Sequence, residues 1–435
     1  MRFDRRNFLK LGAGAGLALV AAPLVRGASA AAPYQGPFFV HLHASGGWDP
    51  IYFCDPKTDP ALARYPGVGT VGPFSYAATS IADLAAIGLD PLIPEISNYL
   101  MSNQAFFEKY QNRLRVVNGV DTATNNHDIG TRAAGSGQNT DSYPSFGALA
   151  AATLGRDKAL AYVSNGGYDA TQGLVATTRL SAASYARIAY PFESNTTTPG
   201  SAPYHLAGAQ ARIRAAQTAR MSTLTARSHL PRVKRALGAL ETSRREDTTL
   251  STLTLPAPIV LPGGLGDEQG VLQQIQLCLA AFDAGLGVSA SIGLGGFDTH
   301  ANHDQNHIRQ LAKLLYAIDY LFETAAPLGL ADQITLMVTG DFGRGPGYNV
   351  TNGKDHWPVT SALFMGRGVT PGVVGSTDAG QRPVAVSPTT LAPNPNGVRI
   401  TPAHLHQALR KLAGIEGSAD AAAFPLAGGE LPILG

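Results

Sequence analysis

Cysteine, tryptophan and methionine are scarce in this 435-residue chain, with two, two and five residues respectively. Two cysteines, Cys54 and Cys278, do not make a disulfide framework, so the fold must rest on apolar burial. They could bridge in an oxidising compartment, but buried free thiols are the expectation. Charge is sparse too, at 15% of residues, with a formal net charge of +2. Setting residues 1–30 aside removes five basic residues and one acid. That leaves 28 basic against 30 acidic residues, a net charge near −2. Such a balance offers no electrostatic footing to nucleic acid or an anionic membrane. Apolar runs long enough to span a bilayer are also missing, because no stretch beyond residues 11–25 approaches 18 apolar residues. The chain is rich instead in hydrophobic residues, at 44%, and in glycine, with 49. That is ample material for a large core with many tight turns.

The N-terminus reads as an export signal. Asp4-Arg5-Arg6-Asn7-Phe8-Leu9-Lys10 fits a twin-arginine motif, Leu11 to Val25 is an apolar run rich in glycine and alanine, and Ala28-Ser29-Ala30 is a small-x-small cleavage site. A periplasmic or secreted protein is expected, carried by the Tat translocase and without a membrane span once processed. This route moves folded proteins, often with a cofactor or metal already loaded.

Beyond the signal, hydrophobic periodicity alternates between strand and helix. Strands are expected at 37–43, 114–120, 160–163, 288–294, 334–338 and 361–365. Helices are expected at 92–110, 146–154, 269–282, along the stripe Ile308 to Phe322, and at 402–413 with Thr401 as cap. Residues 55–90 read as a surface excursion. Residues 203–250 are helical and basic without strand patterns, which suggests a helical insertion, about 203–255, on a sheet core. The expected architecture is α/β, a mostly parallel sheet flanked by helices, forming a single domain over 31–435.

The chemistry concentrates at strand ends. Gly295 to His307 reads GGFDTHANHDQNH and places Asp298, His300, His303, Asp304 and His307 on a glycine turn between strand and helix. Carboxylate and imidazole at such spacing suit a divalent metal, although a helix cap with solvated histidines fits the same stretch. Gly46-Gly47-Trp48-Asp49 repeats the device, and Asp341 follows a third apolar strand and a glycine. Three carboxylates at three strand ends, with His300 and His356 nearby, would repel one another unless a cation lay between them.

GGWDP, GGFDTH, GDFGR and KDHW, in this order behind twin arginines, resemble a bacterial family of unknown function, domain family 1501, within the alkaline phosphatase and sulfatase superfamily. The resemblance covers roughly residues 36–415. It implies an alkaline-phosphatase-like fold with one or two divalent ions (Zn, Mn, Mg or Ca) at the carboxyl edge of the sheet. Asp49, Asp298, His300, Asp341 and His356 are the implied metal ligands, with Asp49 and Asp341 on one ion and Asp298, His300 and His356 on the other. Arg344 and Lys354 are candidates to neutralise an oxyanion. The nucleophile position departs from the family pattern. It falls in Thr124-Asn125-Asn126-His127-Asp128 and reads Asn126, whose amide cannot act as an alkoxide. Thr122 or Thr124 could substitute, or a metal-activated hydroxide could attack directly. The resemblance therefore implies a hydrolase of phosphate or sulfate esters with Thr124, Asn126 and Arg344 at the reacting centre. The alternative is a non-catalytic envelope protein that binds metal or a small anionic ester or glycan on the same scaffold.

Overall fold

The central strand β1 (Phe38–Ala44) is buried along its whole length and pairs on both sides with strands made far later in the chain. The structure is a computed structural model. It describes residues 33–65, 67–79, 97–179, 201–231, 233, 234, 236–238, 253, 256, 257, 259–262 and 265–435. The signal segment 1–30 and the first part of the helix expected at 92–110 lie outside the described residues, as does much of 203–255.

The remaining strands are β2 (Val68–Val71), β3 (Phe74–Ala77), β4 (Leu114–Asp121), β5 (Tyr162–Asn165), β6 (Thr177–Thr178), β7 (Ser289–Leu294), β8 (Ile334–Gly340), β9 (Gly343–Arg344), β10 (His356–Trp357), β11 (Val359–Gly366) and β12 (Gly372–Val374). The helices among the described residues are α1 (Asn103–Tyr110), α2 (His127–Ser136), α3 (Phe146–Leu154), α4 (Ala207–Arg227), α5 (Gly266–Asp283), α6 (His303–Ala325), α7 (Pro402–Leu412) and α8 (Ala419–Ala422).

Eight strands form one sheet in the order β12-β4-β11-β8-β1-β7-β5-β6. All pairings are parallel except those of β11, which runs antiparallel to both β4 and β8. The fold is α/β with a mostly parallel sheet flanked by helices, and residues Ala32–Gly435 form one unit.

Alternation along β1 explains why both faces are covered. Phe38, Val40 and Leu42 enter a core that also holds Leu279 and Phe282 of α5 and Leu314 and Ile318 of α6. Phe39 points the other way, into a core with Leu149 of α3 and Leu409 of α7. His41 and His43 alternate with these residues and face their own polar partners: His41 Nε2 lies 2.7 Å from Thr339 Oγ1. Both cysteines are free and buried, and burial pushes the Cys278 thiol up to about 12.

Two elements differ from the sequence reading. Residues 68–77 form the β2–β3 hairpin, whose Phe74 and Tyr76 are buried against Phe107, with the Tyr76 and Phe107 rings stacked at 5.3 Å. Within the expected surface excursion, β3 therefore packs into the core, while β2 buries none of its residues. The helix expected across 92–110 is broken by Ser102, which caps α1 by accepting from the Ala105 N–H at 3.2 Å. The exposed helix α4 buries none of its residues.

Candidate metal centre

Strands β1, β7 and β8 run parallel, so their carboxyl ends and the loops that follow lie along one edge of the sheet. The loop after β1 crosses to the loop after β7. Gly46 takes φ +112°, and a Cβ there would lie 2.4 Å from the Asp298 N. Only glycine permits that approach. Trp48 and Phe297, the aromatic residues of the two repeated turns, are both buried and anchor their loops.

Asp298 emerges from this edge half-exposed, and three imidazoles meet its carboxylate. His356 Nε2 and His300 Nε2 each lie 3.1 Å from Asp298 Oδ1, and His127 Nε2 lies 3.5 Å from Asp298 Oδ2. His300 Nε2 and His356 Nε2 are 2.9 Å apart. The ring orientations are set from behind. His356 Nδ1 lies 2.8 Å from the Asn125 carbonyl, which can only accept, so Nδ1 carries the proton. His300 Nδ1 donates to Asp355 Oδ1 at 2.9 Å, and His127 Nδ1 donates to Asp341 Oδ2 at 2.6 Å.

With Nδ1 protonated in each ring, all three Nε2 atoms present lone pairs to a carboxylate. Arg344 Nη2, 2.6 Å from Asp298 Oδ1, is the donor that enters this group. Convergent acceptors of this kind call for a cation. The fit to a metal is good, since donors held about 2.0–2.1 Å from a tetrahedral ion are about 3.3 Å from one another. The ligand atoms of His127, Asp298 and His356 all lie within 4.8 Å of one another, with His300 alongside. Phe342, fully buried, packs against both His127 and His356, at ring separations of 4.8 and 4.4 Å, and supports the pair from below.

Of the sequence-derived ligands, Asp298, His300 and His356 are brought together. Asp49 and Asp341 are not in contact with that trio. Asp49 is wholly buried: its Oδ2 accepts from Lys354 Nζ at 2.7 Å and His303 Nε2 at 3.0 Å, and its Oδ1 accepts from the Ile51 N–H. Burial alone would raise its pKa, but the Lys354 ammonium and the His303 bond outweigh that and hold it far below the usual carboxylate range. Asp341 is held low in the same way. Burial opposes the shift, and the His43 and His127 bonds and the Gly46 N–H overcome it. Asp298 is also lowered against its burial, chiefly by Arg344 and then by His356.

Arg344 and Lys354 are both buried inside the protein, not displayed at the mouth of the site. Arg344 donates to the Gly46, Gly47 and Lys354 carbonyls as well as to Asp298, clamping three loops around one ligand. Asn126 caps α2, its Oδ1 accepting from the Ile129 N–H at 3.1 Å. Thr124 Oγ1 accepts from the Asn126 N–H, and Thr122 Oγ1 donates to the Pro358 carbonyl. His303 and His307 form a buried relay through Thr299: His303 Nδ1 lies 2.7 Å and His307 Nδ1 3.3 Å from Thr299 Oγ1. His307 Nε2 accepts from the Asp49 N–H at 2.8 Å.

Sequence reasoning missed His127 as a site residue. The available signal was its place as the first residue of a helix that follows the buried strand β4. It also missed Asp355, which orients the His300 ring, and His43, which holds Asp341. Beside Asp298 and His300 opens a groove of about 550 Å³, with Thr299 and Gly296 on one wall and Asn306, Arg309 and Lys313 of α6 on the other.

The chain belongs to the family described as protein of unknown function DUF1501, whose model matches residues 39–419. No curated protein sequence matches it. Similar solved structures include the lipoteichoic acid synthase LtaP from Listeria monocytogenes, at 8% identity and a TM-score of 0.36, covering 89% of this chain and 74% of that one. The alkaline phosphatase from the Antarctic bacterium TAB5 is 13% identical with a TM-score of 0.33, covering 78% and 94%. A 2-O GAG sulfatase is 10% identical with a TM-score of 0.33, covering 89% and 73%.

Proposed function

We propose that this chain is an exported, metal-dependent hydrolase of phosphate or sulfate esters. The observation that carries the reading is the set of four acceptors, Asp298, His127, His300 and His356, each imidazole oriented by a bond behind it. Three imidazoles and a carboxylate favour Zn or another first-row ion over Mg or Ca. Bound there, the ion would supply Lewis-acid polarisation of an ester oxygen. Asp341, Asp355 and the Asn125 carbonyl would hold the imidazole tautomers, and Arg344 would fix the Asp298 carboxylate between two loops. The groove beside the site, with Arg309 on its α6 wall, supports an anionic ester or glycan as ligand.

Asn126 and the threonines bear on how such an ester would be opened. The Asn126 amide caps α2, Thr122 Oγ1 donates to the Pro358 carbonyl, and Thr124 Oγ1 accepts from the Asn126 N–H. This favours water over a side-chain nucleophile. It equally supports the second reading, a protein that binds metal and ligand without turnover. The twin-arginine motif supports export in the folded state to the periplasm or beyond.

Elemental analysis of natively exported protein, followed by assays on an aryl phosphate, a phosphodiester and an aryl sulfate, tests the proposal. Stoichiometric metal with turnover of one of these esters is expected. Absence of bound metal would overturn the metal reading. Metal without turnover on all three would leave the binding reading in its place.

A further inference from the structure

We propose that the Lys354 ammonium serves this centre as a built-in second cation, so that the chain binds one divalent ion and not two. The inference rests on the metal reading above and concerns the buried residues behind it. By residue type, Asp49, His303 and His307 are a second ligand set, one carboxylate and two imidazoles, all wholly buried. In the structure, each atom with which they could hold an ion is engaged. Asp49 Oδ2 accepts from Lys354 and His303, Asp49 Oδ1 accepts from the Ile51 N–H, and His307 Nε2 accepts from the Asp49 N–H.

Charge leads to the same conclusion. One ammonium balances one carboxylate, so the buried set is neutral as it stands when its histidines are neutral. Lys354 Nζ also lies 5.1 and 5.3 Å from the ring centres of Tyr52 and Tyr348, whose faces favour a cation. A divalent ion added here would lie beside an ammonium in a dry interior, where like charges repel strongly. Asp341 offers no alternative. His43 and Thr131 occupy its Oδ1, while His127 and the Gly46 N–H occupy its Oδ2. The Asp298 group differs: Arg344 donates to Asp298 Oδ1, but Oδ2 and the Nε2 atoms of His127, His300 and His356 still face one another beside the groove. The two cation positions are tied together, because Arg344 binds Asp298 with one nitrogen and the Lys354 carbonyl with another.

The test is a count of ions. Chelator-treated wild-type protein is titrated with Zn²⁺, and bound metal per chain is measured after desalting, with Tm recorded in chelator and in Zn²⁺. One ion per chain is expected. Lys354→Met should bind a second ion, melt roughly 5 °C or more below wild type in chelator, and recover in Zn²⁺. The double variant Asp49→Asn, Lys354→Met, with no buried charge to balance, should return to one ion and melt above the single variant in chelator. A double variant that folds where Lys354→Met does not would support the same conclusion. Two ions in the wild type would overturn the proposal. So would a Lys354→Met protein that keeps one ion and the wild-type Tm. No ion in the wild type is a different result, because it removes the metal reading itself. The wild-type count decides the stoichiometry whether or not either variant folds.

Discussion

His300 Nε2 and His356 Nε2 face each other at 2.9 Å, and each ring has its proton on the far nitrogen, held by Asp355 and by the Asn125 carbonyl. Two lone pairs at that distance need a proton or a metal ion between them, and metal affinity separates the two. His356→Ala, Asp298→Ala and His127→Ala should each lose more than about 100-fold in metal affinity, and Asp355→Asn about 10–100-fold through the orientation of His300. Competition with a chromogenic chelator measures these losses. Equal affinity across all four variants and the wild type would end the assignment.

Asn126 should behave differently. Its side chain caps α2 and accepts from the Ile129 N–H, so Asn126→Ala should cost about 1 kcal/mol of stability. Metal content should remain at the wild-type level. Denaturant melts and elemental analysis on the same preparation check both halves.

Gly353 allows the loop after β9 to press against the metal-site turn. A Cβ there would lie 1.9 Å from the His300 carbonyl carbon and oxygen, both of them backbone. Gly353→Ala should therefore displace His300, lower stability by about 1–3 kcal/mol, and weaken metal binding together with Tm. A Gly353→Ala protein with wild-type Tm would refute the close approach.

Glu268 gives the fold a pH dependence away from the site. It is buried in the first turn of α5, and neither carboxyl oxygen has a hydrogen-bond partner among the described residues. Burial pushes its pKa from the usual 4.5 up to about 8, against the lowering influence of Lys313. A carboxyl whose folded-state pKa is raised contributes stability that is complete below about 4.5 and lost as the pH climbs through about 8. Glu268→Gln should match wild type near pH 4.5 and melt above it at pH 9. Calorimetry at the two pH values reads the difference, and parallel melting curves would count against the buried neutral acid.

Export can be tested separately from chemistry. Replacing Arg5 and Arg6 together with lysine should retain the protein in the cytoplasm with residues 1–30 uncleaved, as fractionation and N-terminal mass analysis would show.

The long periodic elements were legible before any coordinates. The strand expected at 288–294 is β7 at Ser289–Leu294, and the helix expected at 146–154 is α3. The β2–β3 hairpin was not legible, because strands of four residues amid glycine and proline leave too short a pattern to separate from loop. At the site, Asp298, His300 and His356 drew attention because carboxylate and imidazole after a buried strand have few structural uses. The partner of Asp49 could not be read in this way. Lys354 lies 305 residues away, and a lysine beside an aspartate and a histidine in sequence looks like surface charge until the fold brings it inside. His127 is not legible in sequence because its role depends on Asp341, 214 residues away, just beyond the end of β8.

The placement of β1 between β7 and β8 has a consequence for how the chain comes to be folded. The first strand of the sheet has no neighbour until residues 289–294 and 334–340 have been made and brought back to it. Contacts so distant in sequence favour slow folding, and an apolar strand left waiting with two open edges invites pairing with other chains. Any fragment that stops short of β8 would leave that strand open along one side. The molecule should therefore fold as a whole, and its truncated products should aggregate.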